Sequence, residues 1–172
     1  MRILTSLLLA AAFGLTGHAN AAEPMQTRIA MIEKSAATFY VPAEITGFGA
    51  TELMVDTGSG YVVINETTLA ALESQGQARY VKQLRGVLAN GNELTVPVYA
   101  VAAMSLGGRC WLHDVEAAVF PGNARQILGL SALRRTAPFV FSVDPPELTL
   151  SRCAPPPLAA NSVTATPPTR LD

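Results

Sequence analysis

Between two runs rich in apolar and β-branched residues, 81–88 and 94–101, the chain carries Ala89-Asn90-Gly91-Asn92. Asn-Gly tolerates positive φ at both central positions, which is what a tight β-hairpin asks of its loop. The same rhythm of short runs and turn residues recurs along the chain. Residues 38–45 (Thr-Phe-Tyr-Val-Pro-Ala-Glu-Ile) read as a strand that ends at Thr46-Gly47, Leu53-Met54-Val55 as a second strand and Tyr61-Val62-Val63-Ile64 as a third. Residues 101–106 turn at Gly107-Gly108 into 110–120, Ile127-Leu128-Gly129-Leu130 comes next, and 139–143 pair with 148–151 across Asp144-Pro145-Pro146-Glu147. Only residues 67–72, capped by Asn65, and a turn over 131–135 read as helical. Short strands and tight turns predict an all-β fold: a small closed barrel with one or two short helices.

Both ends of the 172-residue chain stand apart from this pattern. Arg2 precedes an apolar stretch over residues 4–15, shorter than the roughly 20 residues that a spanning helix needs. Ala19-Asn20-Ala21 supplies a small-residue cleavage pattern, so residues 1–21 read as a signal peptide, with an N-terminal membrane anchor as the competing reading. With no cysteine near the cut to carry a lipid, no stable anchor is expected after removal, and the chain is expected to be exported. Residues 154–172, rich in Pro, Ala, Ser and Thr with little to bury, read as a disordered tail. Residues 25–153 then make one domain of ordinary size.

Lys and Arg total 12 against 13 Asp and Glu, without a cluster of either sign, which argues against nucleic acid and anionic lipid as partners. His113 is the one histidine beyond residue 21, and no metal-ligand spacing or Gly-x-Ser-x-Gly elbow is present. Gly58-x-Gly60 comes after a strand, but Val63 holds the third glycine position of a dinucleotide loop. Neither a metal nor a cofactor is expected. Cys110 and Cys153 suit a structural disulfide in an oxidising compartment, a pairing that only geometry can decide. Arg134-Arg135 reads either as a solvated pair or as a partner for an acidic residue.

Asp56 carries the chemistry: an acid that ends an apolar strand and is followed by Thr57-Gly58-Ser59-Gly60. Alone, Asp-Thr-Gly describes an Asx-type turn as well as a catalytic loop. The order of motifs is more specific. Leu53 to Ser59, the apolar run 61–64, Ala89-Asn90-Gly91, Val115-Glu116-Ala117 and residues 127–135 together resemble the retropepsin-like aspartic proteases, in their small exported bacterial form. The resemblance covers about residues 38–151. Ser59 fits the family pattern, whereas Gly60 departs from it and removes a side chain that would cap the turn.

That resemblance implies an aspartic endopeptidase with Asp56 as its catalytic carboxylate. Thr57, Gly58 and Ser59 would support the active-site loop, Ile127-Leu128-Gly129 would pack behind it, and Ala89, Asn90 and Gly91 would form the flap over a peptide or protein substrate. The reaction needs two carboxylates sharing one proton, and the chain holds a single Asp-Thr-Gly. A homodimer contributing Asp56 from each subunit is the implied solution, and the periplasm the implied location. The alternative is a non-catalytic module that binds a peptide or envelope component on the same barrel.

Overall fold

The computed structural model describes residues 26–87 and 91–157. Eleven strands run in the order β1 (Thr27–Ala30), β2 (Ile32–Lys34), β3 (Thr38–Ile45), β4 (Gly49–Val55), β5 (Val62–Asn65), β6 (Ala78–Val87), β7 (Glu93–Leu106), β8 (Cys110–Phe120), β9 (Ile127–Leu128), β10 (Phe139–Val143) and β11 (Pro146–Leu150). Helix α1 (Glu66–Ser74) lies between β5 and β6, and α2 (Leu130–Leu133) comes after β9. Asn65 caps α1 as its sequence implies, its side chain accepting from the Thr68 N–H at 2.9 Å, a contact worth about 1 kcal/mol.

Six strands close on themselves. β3 pairs antiparallel with β4, β4 runs parallel to β9, β9 meets β5 at Val63↔Ile127, and β5 runs parallel to β8. β8 then pairs with β7, and β7 returns to β3 through Ala43↔Leu106 and Ile45↔Met104. The all-β closed barrel expected from the sequence is therefore the architecture observed. Alternation along β3 sends Phe39, Val41, Ala43 and Ile45 inward. Complete burial of a side chain such as Ile45 stabilises by roughly 1.5–3 kcal/mol.

Two features differ from the sequence reading. Residues 93–106 form one continuous strand that serves two hairpins, not two strands broken near Val101. A second sheet, ordered β1-β11-β10, joins the two ends of the domain, with Thr27↔Leu150 through Ala30↔Glu147 in register. Ile29, Leu148 and Leu150 carry this sheet into the main core. Cys110 and Cys153 are bonded, linking the start of β8 to the chain just beyond β11. Ala154, the first residue of the expected tail, donates its N–H to the Trp111 carbonyl at 3.0 Å. Residues 158–172 and the expected signal peptide, 1–21, lie outside the described residues. Among the described residues no helix is long and apolar enough to cross a membrane.

Candidate active site

Asp56 stands immediately after β4, where parallel pairing with β9 ends. Its backbone N–H donates to the Leu128 carbonyl at 3.2 Å, and its own carbonyl accepts from the Ser59 N–H at 3.3 Å. The carboxylate Oδ1 accepts from the Gly58 N–H at 2.8 Å. That last bond is the one an Asx turn makes. What an ordinary turn lacks is the clamp behind it.

The clamp comes from residues 128–131. Leu130 donates its N–H to the Ser59 carbonyl at 2.8 Å, and the Ser59 hydroxyl donates to the Tyr61 carbonyl at 2.7 Å. A Cβ on Gly129 would lie 1.9 Å from the Tyr61 carbonyl oxygen and 2.9 Å from that of Ser59, so only glycine fits. Ser131 was not legible as a site residue, yet its hydroxyl accepts from the Val62 N–H and donates to the Glu116 carbonyl, each at 2.7 Å. Its partners are 69 and 15 residues away in sequence, and no local motif encodes such a bridge.

Asp56 is half-buried while Thr57 and Gly58 are exposed, so the loop is gripped from behind and open in front. Among the described residues the Thr57 hydroxyl has no hydrogen-bond partner. In front of the carboxylate lies a cleft of about 460 Å³ lined by Asp56, Gly58, Ser59, Val63, Val87, Phe120 and Ile127. Val87 belongs to β6, so the β6–β7 hairpin reaches the Asp56 cleft. Beneath that hairpin is a recess of about 150 Å³, whose walls include Leu84, Leu94, Val96 and Ala118. A larger cavity, about 580 Å³, opens on the other side of Gly60 and Tyr61 and does not include Asp56.

Of the residues expected at the site, Asp56, Gly58, Ser59 and Ile127 meet in one cleft, with Leu128 and Gly129 behind it. Gly91 lies in the hairpin turn with φ 84°, a value that glycine adopts without strain. Ala89 and Asn90 lie outside the described residues. The described residues bring together no group of three His, Cys, Asp or Glu side chains able to hold a metal.

Residues 41–135 match the family model described as "gag-polyprotein putative aspartyl protease". A crystal structure of a retropepsin-like aspartic protease from Rickettsia conorii superposes with a TM-score of 0.54 and 20% sequence identity, over 76% of this chain and 92% of that one. At that identity the likeness is one of fold, and the fold is retropepsin-like. No curated protein matches the chain. The family match spans more than half of the sequence and contains the Asp56 loop and its clamp: the chain belongs to the gag-polyprotein aspartyl protease family.

Proposed function

We propose that the protein is an exported aspartic endopeptidase, active as a homodimer in which each subunit contributes Asp56. One observation carries the reading: Asp56 shares its cleft with Val87 of an overhanging hairpin, and among the described residues no other acid lines that cleft. A lone carboxylate supplies half of the chemistry. With Asp56 of the partner subunit close by, two like charges disfavour full ionisation and the pair retains one proton. The ionised carboxylate takes a proton from water as it attacks the scissile carbonyl carbon, and the protonated one donates to the carbonyl oxygen. Collapse of the tetrahedral intermediate then breaks the C–N bond as the amine is protonated.

Gly58 orients the carboxylate through its N–H, and the Thr57 hydroxyl, without a partner among the described residues, would bond across the dimer axis. The hairpin carrying Ala89, Asn90 and Gly91 covers an extended peptide, whose backbone it pairs by strand addition. For the dimer contact, β10 offers an outer edge with no strand partner among the described residues and exposed Val140, Phe141 and Val143. An antiparallel edge can pair with its own copy about a two-fold axis.

The test is incubation of the protein lacking residues 1–21 with a diverse peptide mixture from about pH 4 to 7, beside Asp56→Asn. Cleavage by the wild type alone supports the assignment. Equal cleavage by both places the activity elsewhere, and saturable peptide binding without cleavage by either favours the non-catalytic module.

A further inference from the structure

The β6–β7 hairpin changes character along its length. β7 pairs with β8 from Leu106↔Cys110 as far as Val98↔Ala118, and β6 pairs with β7 from Ala78↔Val101 to Val87↔Glu93. Residues 83–87 and 93–97 therefore project as a two-stranded ribbon, an arrangement marginal in water unless something holds it down. Leu84, Leu94 and Val96 rest on Ala118, Phe120 and Tyr61, but these contacts are non-directional. Lys82 stands at the root of the ribbon, opposite Val98, where a register shift between Tyr80 and Lys82 interrupts the ladder.

Parallel pairing of Val62 with Ala117 sets Tyr61, immediately before β5, beside Glu116 of β8. Lys82 bridges them. Its Nζ donates to Glu116 Oε2 at 2.9 Å and lies 5.4 Å from the centre of the Tyr61 ring. The bond to Glu116, with the Tyr61 side chain beside it, holds the ammonium above its usual pKa, outweighing the opposing effect of desolvation. Among the described residues this is the one ion pair between the hairpin and the barrel wall.

The same two residues also anchor the Asp56 loop. The Tyr61 carbonyl accepts from Ser59, and the Glu116 carbonyl accepts from Ser131. We propose that Lys82 is a positioning residue: with Glu116 and Tyr61 it latches the root of the hairpin to the backbone that supports Asp56, so that the ribbon is held over the cleft before substrate arrives. Its consequence for substrate rests on the protease reading, whereas its consequence for the hairpin does not.

The latch is a half-exposed ion pair, with the Lys82 and Glu116 side chains 43% and 39% exposed, so its effect is bounded. A pair of this kind shifts an equilibrium by up to about fivefold, and apparent substrate affinity falls with the fraction of molecules in the competent state. Lys82→Met is therefore expected to raise KM by about two- to fivefold with kcat little changed. Lys82→Arg and the charge-exchanged Lys82→Glu/Glu116→Lys variant are expected to recover most of that loss.

Hydrogen exchange supplies a readout independent of catalysis. In Lys82→Met the amides of residues 84–87 and 93–96 are expected to exchange about two- to fivefold faster, with those of β3 and β4 unchanged. Equal exchange in wild type and Lys82→Met, or faster exchange that neither rescue variant reverses, overturns the latch. Should the wild type cleave no peptide, the protease reading fails and exchange alone decides the latch.

Discussion

Gly129 lies so close to the carbonyl of Tyr61 that the two share space no side chain can enter: a Cβ on Gly129 would sit 1.9 Å from that oxygen. The obstruction is backbone, not the tip of a flexible side chain, so Gly129→Ala must displace either the Asp56 loop or α2. We expect a loss near the upper end of overpacking effects, about 3 kcal/mol, or roughly 10 °C in Tm. Thermal unfolding of Gly129→Ala checks this; an unchanged Tm would contradict the clamp.

The Cys110–Cys153 bond closes a loop spanning 43 positions and fastens the chain beyond β11 to the β7–β8 hairpin. Chain-entropy arguments give such a loop about 4 kcal/mol. Chemical denaturation of Cys110→Ser/Cys153→Ser is expected to show most of that loss. A midpoint equal to that of the wild type would show that the crosslink adds nothing.

Burial is the leading cause that raises the Tyr99 pKa above its ordinary value, aided by the Glu73 carboxylate. The folded state thus holds the phenol proton more tightly than the unfolded chain does. Its contribution to stability is complete below the ordinary tyrosine value of about 10 and is lost as pH rises through the higher folded value. Tm measured from about pH 8 to 11 is expected to fall more steeply in the wild type than in Tyr99→Phe. Parallel curves would contradict this assignment.

Val140 and Val143, 59% and 60% exposed on the open edge of β10, are the proposed dimer contact. Val140→Glu/Val143→Glu is expected to shift sedimentation toward monomer while leaving Tm within about 1–2 °C, as surface substitutions do. An unchanged dimer would move the contact elsewhere.

Much of the barrel was legible because its signals are local. Residues 38–45 alternate, Asn65 has the side chain to cap a helix, and Asn90-Gly91 stands between two apolar runs. Asp56 drew attention through its immediate neighbours, and Gly129 through a short motif. β1 and β2 carried no such signal: they have four and three residues, and Ile29 is buried by distant parts of the chain, β11 beside it and the β7–β8 turn at Gly107 against its side chain. Ser131 and Lys82 were hidden for the same physical reason. Each acts through strand register that brings distant residues together, and neither lies in a pattern that a local window can read.

The central claim is that Asp56 is half of an active site. Wild type mixed with an equal amount of Asp56→Asn and allowed to exchange subunits gives random dimers, of which about a quarter carry two Asp56 carboxylates. The decisive measurement is peptide hydrolysis per wild-type chain in that mixture. The dimeric site predicts a fall to about half the value for wild type alone, since half of the wild-type chains then face an Asn partner. Activity per wild-type chain that stays constant, with subunit exchange verified, would mean that one chain holds a complete site and would contradict the account.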